Sequence, residues 1–208
     1  LLPRAVESVL AQTFADWELV ISDDEREENA SREYARKVAA REPRVRVMQN
    51  AGERGQAGNI NNAMAASRGK WIKPLFDDDL LFPTCVERLL DAAARRPGAA
   101  MACCLTEMHT PGGGVRRRRV GGRHAIEAMT GRNAILAQYL QDVEIGAPTQ
   151  VLVRADIVRE KGALFPTHPN IVSAVDELWY TRILEHGDLV MLNEVLTAHD
   201  QTGHSTIT

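Results

Sequence analysis

The sequence predicts an α/β protein whose sheet is mostly parallel and covered by helices on both faces. Three observations support this prediction. Helical and strand-like patterns alternate through the first half of the chain, as in parallel strands joined by crossover helices. Two of the strand-like segments end in consecutive aspartates, Asp23-Asp24 and Asp77-Asp78-Asp79. The 208 residues, 44% of them apolar, are enough to bury the core that such a sheet requires.

Four helical patterns alternate with four strand patterns in this first half. Helices show apolar residues on one face, and strands show short runs rich in β-branched and aromatic residues. Proline suits the first turn of a helix and interrupts a helix further along, so it marks several boundaries. The predicted segments are a helix from Pro3, a strand at Trp17–Ser22, a helix from Ser31 that stops at Pro43, a strand at Val45–Met48, a helix at Gln56–Ser67, a strand from Trp71 into the aspartates, a helix from Pro83 and a strand at 99–108.

The alternation breaks after Met108. Residues 109–122 are glycine-rich at both ends and carry the run Arg116 to Arg119, which predicts a mobile loop or a long hairpin. A charge run is usually solvated, although these arginines could also bind an anionic acceptor or a diphosphate. The remaining predicted segments are helices at Gly131–Leu140, Ala155–Gly162 and Ser173–His186, a strand at Thr149–Arg154, one or two strands in Asp188–Leu196 and a polar tail from His199.

Composition indicates an ordinary globular protein. The net charge of -3 requires neither a nucleic acid nor an anionic membrane as partner, and no apolar run approaches the roughly 20 residues of a membrane helix. Cys103 and Cys104 are neighbours on a predicted strand and point to opposite faces, so they are poorly placed to form a disulfide. We therefore expect a reducing, cytoplasmic location. With no linker apparent, residues 1–208 are predicted to form a single domain.

The aspartates are the first candidates for chemistry. Ligands of parallel sheets bind beyond the carboxyl ends of the strands, so Asp23-Asp24 and Asp77-Asp78-Asp79 are expected to converge on one crevice. Three adjacent carboxylates repel one another, and a divalent metal that carries a phosphate would relieve the repulsion because hard cations take oxygen ligands. The alternative is an acidic turn that caps the following helix, since acids are favoured at helix N-termini.

Asp176 lies in the first turn of the late predicted helix, with Arg182 about two turns beyond it. Two interpretations stay open. Asp176 could be a general base at the mouth of the crevice, with Glu177 as the adjacent alternative. It could also be an acid that the helix dipole favours, with no chemical role.

Several segments occur in one order along nearly the whole chain. They are PRAVESVLAQTFADWELVISDD, VRVMQNAGERGQAGNINNAMAASRGKWI, FDDDLLFP, RADIVREKGALF and VDELWYTRIL. Together they resemble the family 2 glycosyltransferases of the GT-A fold. The resemblance implies a single Rossmann-like, mostly parallel sheet with helices on both faces and a smaller acceptor-side subregion. Residues 1–108 would then bind a nucleotide-sugar, and residues 109–208 would bind the acceptor.

The same resemblance implies an inverting transfer of a sugar from a nucleotide diphosphate-sugar to a hydroxyl of a saccharide, lipid-linked or protein acceptor. Asp176 would be the base, and Mg²⁺ or Mn²⁺ the cofactor. The enzyme would be cytoplasmic and could lie against the inner face of the membrane. The implied metal ligands are Asp77, Asp79 and a His204 that reaches back from the tail, and the implied nucleotide contacts are Asp23, Asp24, Gly55, Asn61 and Asp78.

Some positions depart from the family pattern. Ile60 stands where an arginine is usual, Phe76 stands where an acid is more common, and Val175 replaces the first acid of a pair before the late helix. Phe76 leaves open which two of the three aspartates hold the metal. The chain does not begin with Met, and we expect the family's first strand to have preceded it. The alternatives are a sugar-nucleotide nucleotidyltransferase and a non-catalytic nucleotide-sugar-binding module.

Overall fold

The computed structural model describes residues 1–109, 115–118, 126–168 and 174–200. Over these ranges it contains seven α-helices, one 3-10 helix at Pro148–Gln150 and nine strands. The helices are α1 (Leu2–Leu10), α2 (Ala30–Ala39), α3 (Gln56–Ala66), α4 (Cys85–Ala94), α5 (Gly131–Tyr139), α6 (Ala155–Arg159) and α7 (Val175–Leu184). The strands are β1 (Leu19–Asp23), β2 (Val45–Gln49), β3 (Trp71–Ile72), β4 (Asp79–Leu81), β5 (Ala99–His109), β6 (Val115–Arg118), β7 (Ile126–Met129), β8 (Val151–Arg154) and β9 (Asp188–Asp200).

The chain folds into two compact units that interleave along the sequence. Unit 1 comprises Leu1–Ala15, Lys73–Val153 and Leu184–Thr208, and unit 2 comprises Asp16–Ile72 and Arg154–Ile183. These units do not follow the division at residue 108. The assignment of residues 1–108 to nucleotide-sugar binding and of residues 109–208 to acceptor binding stays a prediction.

Unit 2 is built on the parallel pair β1 and β2, which runs in register from Leu19 opposite Val45 to Asp23 opposite Gln49. Helix α2 packs on β2, and α3 packs on β1 and α6. Helix α2 begins after Asn29 because the Asn29 side chain accepts a hydrogen bond from the Arg32 amide, which satisfies one free donor of the first turn. These contacts bring the end of β1 close to the starts of α2 and α3.

Unit 1 is organised around β5 and β9, which pair in parallel. Strands β6 and β8 pair antiparallel with β5, and β4 and β7 pair antiparallel with β9. Residues 99–104 are all at most 2% exposed, so both faces of β5 are covered, as a central α/β strand requires. Helix α4 packs on β5 and β9 through Cys85, Leu89, Ala92 and Ala93.

The α/β class is confirmed, but the strands pair differently from the single, mostly parallel sheet that was expected. Parallel pairing occurs in β1–β2 and β5–β9, and β1–β2 forms a sheet of its own. Only residues 110–114 join β5 to β6, which is too few for the crossover that a parallel connection needs. Each antiparallel pair named above includes a strand that follows the break in alternation after Met108.

The strand predicted from Trp71 into the aspartates is wrong beyond its first residues. Strand β3 ends at Ile72, Asp77 and Asp78 lie in a turn, and Asp79 begins β4. Pro74 accounts for the break, because it has no amide hydrogen to donate to a neighbouring strand. The helix-cap interpretation is also wrong, since β4 separates the aspartates from α4, whose N-cap is Thr84.

None of the helices in the described ranges has the length and apolarity needed to cross a bilayer.

The arginine run begins on β6, which pairs antiparallel with β5, so the described part of this segment is one arm of a hairpin. Arg119 and His204 lie outside the described residues.

Candidate functional site

Asp79 is a buried carboxylate at the first position of β4, with 2% of its surface exposed. The Thr149 hydroxyl donates to its Oδ2 atom, and the His199 Nδ1 atom contacts its Oδ1 atom. His199 reaches Asp79 because the two residues are directly opposite in the antiparallel β4–β9 pair. Thr149 is fully buried in the 3-10 helix that leads into β8. Both oxygens of this aspartate are thus engaged inside unit 1.

Asp77 and Asp78 occupy the turn just before β4, and they are more accessible than Asp79. Burial raises the pKa of Asp78 above its ordinary value, and the negative charges of Asp79 and Asp77 raise it further, against smaller opposing effects of a backbone hydrogen bond and of His199. The turn therefore concentrates negative charge, and a bound cation would stabilise its ionised form.

The donor chemistry of this turn fits Mg²⁺ or Mn²⁺, which prefer carboxylate oxygens. Among the described residues, however, no group of three or more His, Cys, Asp or Glu side chains could hold a metal ion. Mg²⁺ is usually held by one or two carboxylates together with substrate phosphates and water, so such a group is not required. The turn fits a cation that arrives with a phosphate-bearing substrate.

Asp23 ends β1 and joins it to the start of α2. Its carboxylate accepts hydrogen bonds from the Arg32 Nε atom at 2.7 Å, the Glu25 amide at 3.0 Å and the Asn29 Nδ2 atom at 3.1 Å. Burial acts to raise the pKa of Asp23, but these hydrogen bonds and the charge of Arg32 outweigh it and hold the pKa below its ordinary value. Asp23 is therefore an ionised structural anchor in unit 2.

Asp24 holds the loop that precedes α3. Its Oδ1 atom accepts from the Asn50 Nδ2 atom at 2.7 Å, and its Oδ2 atom accepts from the Gly55 amide at 2.9 Å. Gly55 is the N-cap of α3 and has a φ of 95°, a conformation that glycine adopts without strain. Burial acts to raise the pKa of Asp24, but these two hydrogen bonds and the charge of Arg54 lower it overall. Asp24 and Gly55, both predicted to bind the nucleotide, thus contact each other.

Asn61 joins α3 to the segment before α7. Its Nδ2 atom donates to the Phe165 carbonyl, its Oδ1 atom accepts from the Phe165 amide, and both distances are 2.9 Å. On the same helix, Asn59 and Asn62 bond to the Ser22 hydroxyl. The asparagine-rich pattern of α3 therefore serves internal hydrogen bonds, and the nucleotide contact of Asn61 stays a prediction.

Residues 163–165 are also held from the side of α7. The Trp179 Nε1 atom donates to the Ala163 carbonyl at 3.0 Å, and an Arg182 guanidinium nitrogen donates to the Leu164 carbonyl at 2.8 Å. The rings of Phe165 and Trp179 stack with their centroids 4.2 Å apart. This packing gives Trp179 and Arg182 a structural role, and it fixes the helix that carries Asp176.

Asp176 is the second residue of α7 and is partly exposed. Its Oδ1 atom accepts from the Glu177 amide at 3.1 Å, an ordinary contact at a helix N-terminus. Glu177 is the more exposed of the two acids. Asp176 is thus exposed enough for its carboxylate to receive a proton from a substrate. Its role as a base stays a prediction.

The predicted site residues divide between the units. Asp77, Asp78 and Asp79 belong to unit 1, whereas Asp23, Asp24, Gly55, Asn61 and Asp176 belong to unit 2. The expected convergence of the two aspartate groups therefore stays a prediction. Sequence reasoning missed Thr149 and His199, which lie 70 and 120 residues from Asp79. No local pattern marks them, because strand pairing creates these contacts.

The architecture is similar to that of several solved structures. The chain superposes on Staphylococcus aureus TarS residues 1–349 in complex with UDP-GlcNAc with a TM-score of 0.75, at 16% identity, covering 98% of this chain and 56% of that TarS chain. It superposes on the mannosyltransferase PcManGT of Pyrobaculum calidifontis, in complex with GDP-Man and Mn²⁺, with a TM-score of 0.67, at 15% identity, covering 99% and 54% of the two chains. These likenesses confirm the GT-A fold.

Residues 1–161 match glycosyl transferase family 2, and the chain therefore belongs to this family. One curated relative is the UDP-Glc:alpha-D-GlcNAc-diphosphoundecaprenol beta-1,3-glucosyltransferase WfgD of Escherichia coli. It is 32% identical over 79 residues, which are 38% of this chain and 30% of WfgD. The chain spans about a third or less of the curated relatives that it matches, from 8% to 35% of their length.

Proposed function

We propose that this chain performs the inverting transfer of a sugar from a nucleotide diphosphate-sugar to an acceptor hydroxyl. The observation that carries the proposal is the turn of Asp77 and Asp78 beside the internally bonded Asp79, within a member of glycosyl transferase family 2. An acidic turn of this kind suits a cation shared with a diphosphate.

Mg²⁺ or Mn²⁺ would be held by carboxylates of the turn, with Asp77 and Asp78 the more accessible donors. When bound, the ion offsets the negative charge that develops on the departing nucleoside diphosphate. His204, which lies outside the described residues, is proposed as a further ligand.

In unit 2, Asp23, Asp24, Gly55 and Asn61 would form the nucleotide-binding part. Their hydrogen bonds in the structure already fix the end of β1 and the start of α3. A rigid backbone of this kind costs little ordering when a base or ribose binds. Asp24 keeps unused lone pairs on its carboxylate, which could accept from a ribose hydroxyl.

Asp176 would act as the general base. It would take the proton of the acceptor hydroxyl while the acceptor oxygen attacks the anomeric carbon and the bond from that carbon to the diphosphate oxygen breaks. This single displacement inverts the anomeric centre and needs one carboxylate as base, whereas a hydrolase places two carboxylates at the bond. The clamp of Trp179 and Arg182 on residues 163–165 supports this assignment because it holds α7 rigidly.

The acceptor is proposed to be a saccharide, and the name of WfgD makes a diphosphoundecaprenol-linked saccharide the first acceptor to test. Such an acceptor lies in a membrane, so we further propose a cytoplasmic protein that works at the inner face. Protein acceptors remain an alternative.

The first test is isothermal titration calorimetry of the intact chain with UDP, GDP and TDP, each with Mn²⁺, with Mg²⁺ and with EDTA. We expect one nucleotide to bind with metal and to lose at least tenfold in affinity with EDTA. An absence of binding across the whole panel would contradict the proposal.

The second test is Asp176→Asn, with Glu177→Gln as the matched control on the same helix turn. Asp176→Asn should lower kcat by a factor on the order of 10² to 10⁴, the usual contribution of a general base, and leave donor affinity unchanged. Glu177→Gln should keep most of the activity. Equal turnover in both variants would exclude Asp176 as the base and would favour another residue or a non-catalytic module.

A further inference from the structure

The three aspartates of the acidic turn have different surroundings. Asp79 is 2% exposed, and each of its carboxylate oxygens is engaged by a side chain from another segment of unit 1. Asp77 is exposed and Asp78 is partly exposed. The carboxylates of Asp77 and Asp78 are therefore more available to an added cation than the carboxylate of Asp79.

The chain itself stabilises the charge of Asp79. A buried carboxylate is costly unless hydrogen bonds or opposite charges compensate it, and here the Thr149 hydroxyl and the His199 ring provide two such contacts. The Lys73 Nζ atom donates to the Thr149 carbonyl, which places a cation on the same residue that donates to Asp79. Asp79 consequently needs no metal to remain buried.

The backbone of Asp79 also closes the turn. Its amide donates to the Phe76 carbonyl at 3.2 Å, which makes Asp77 and Asp78 the two central residues of a four-residue turn. The side chain of Asp79 is fixed to β9 and to the 3-10 helix, so one end of the turn is held by the core of unit 1. Any shift of Asp79 would move both central aspartates.

We propose that Asp79 anchors the acidic turn and does not bind the cation, and that Thr149 and His199 are the residues that position it. The cation ligands are then Asp77 and Asp78. This inference rests on the proposed function, because it assigns the carboxylates of the same site. It also assigns the two ligands that Phe76 leaves open in the sequence, because the burial and side-chain contacts of Asp79 set it apart from Asp77 and Asp78.

The experiment measures two quantities on the full chain. The melting temperature is recorded in EDTA, where no cation contributes, and Mn²⁺ affinity is measured by electron paramagnetic resonance with UDP and, separately, with GDP. The variants are Asp79→Asn, Thr149→Val, His199→Gln, Asp77→Asn and Asp78→Asn. Thr149→Ser is the matched control because it keeps the hydroxyl.

Asp79→Asn and Thr149→Val should lower the melting temperature in EDTA by about 5 °C, as expected when a buried hydrogen bond to a charged group is lost. Thr149→Val should also weaken Mn²⁺ binding, and Thr149→Ser should restore both quantities. His199→Gln should lower the melting temperature by less, since its ring is partly exposed. Asp77→Asn and Asp78→Asn should keep the melting temperature within about 2 °C and weaken Mn²⁺ binding at least tenfold.

Two results would overturn the inference. One is an Asp79→Asn variant that keeps its melting temperature and loses Mn²⁺ binding, because Asp79 would then be a ligand. The other is a Thr149→Val variant that melts early but binds Mn²⁺ normally, because Thr149 would then be structural only. Wild-type chain that binds no Mn²⁺ with either nucleotide contradicts the proposed function and the cation assignment together, while the melting temperatures still decide the anchor role.

Discussion

At the scale of single residues, internal hydrogen bonds set what each candidate side chain can do. Asp23, Asp24 and Asn61 all bond to neighbouring segments of unit 2, and Asp79 does the same in unit 1. A polar side chain at a strand end or on a helix face can thus serve to fix neighbouring backbone segments and not only to bind the ligand. In the acidic turn, burial distinguishes the residue that holds the structure from the residues that can bind a ligand: Asp79 is buried, whereas Asp77 is exposed.

Gly58 offers a residue-scale prediction. A Cβ atom at this position would lie 1.9 Å from the Glu53 carbonyl oxygen, which belongs to the backbone and cannot rotate away. Gly58→Ala should therefore destabilise the chain by on the order of 2 kcal/mol, despite the better helix propensity of alanine. Urea unfolding followed by circular dichroism measures this change. Gly52→Ala is the control, because its Cβ would meet only the Asn50 Oδ1 atom at 3.4 Å, and equal stabilities of the two variants would refute the clash.

At the scale of elements, a few contacts between segments determine the geometry of the candidate site. Residues 163–165 are bonded to α3 through Asn61 and to α7 through Trp179 and Arg182. The end of β1 is bonded to α2 through Asp23 and to the start of α3 through Asp24. These bonds form a continuous network within unit 2 that supports both the proposed nucleotide contacts and the helix of the proposed base.

The ion pair between Asp23 and Arg32 gives a pH prediction at this scale. The pKa of Asp23 lies below its ordinary value of 3.8 in the folded chain, so folding favours its ionised form. Its contribution to stability is complete above about pH 5 and is lost as the pH falls through the lowered pKa. Relative to Asp23→Asn, wild type should be more stable by on the order of 1–2 kcal/mol at pH 7, and this advantage should shrink at pH 3.

Urea unfolding at pH 7, 5 and 3 measures the difference between the two proteins. Glu28→Gln is the control because Glu28 pairs with the same Arg32 at 3.6 Å, but its side chain is 65% exposed. An exposed pair contributes little, so this variant should follow wild type at all three pH values. If the difference in unfolding free energy between wild type and Asp23→Asn did not change with pH, the lowered pKa would not be the source of the stabilisation.

At the scale of the whole molecule, the apolar core of unit 1 is the main stabilising feature. The buried run of β5 is covered on both faces, and α4 packs against it. Cys85 on α4 and Cys103 and Cys104 on β5 are buried and unpaired in this core. Burial raises the pKa of the Cys103 thiol to about 12, which leaves almost no reactive thiolate at neutral pH.

The three cysteines therefore report on the integrity of the core. Native chain should react with a thiol reagent such as DTNB to less than about 10% in the time that guanidinium-unfolded chain reacts at all three positions. The measurement is the absorbance of the released chromophore. Rapid reaction of one or more thiols in the native chain would show that the core of unit 1 opens readily.

Much of the fold followed from the sequence alone. The periodicities of α1, α2 and α4, the run of β5 and the end of α2 before Pro43 are local features, and local periodicity reflects which face of a segment is buried. The same local order of segments identified the family. The cluster of three aspartates was also found from the sequence, because three consecutive aspartates after an apolar run are unusual in a folded domain.

Only the tertiary structure decided which atoms these side chains contact. Thr149 and His199 meet Asp79 across 70 and 120 residues, and Asn61 meets Phe165 across 104 residues. Such contacts depend on strand register and on the packing of helices, and a shift of one residue in register would turn His199 to the opposite face. The sequence alone thus determined the family, most of the order of the elements and the cluster of aspartates. Strand pairing decided that Asp79 is enclosed and that Asp77 and Asp78 remain accessible in a turn.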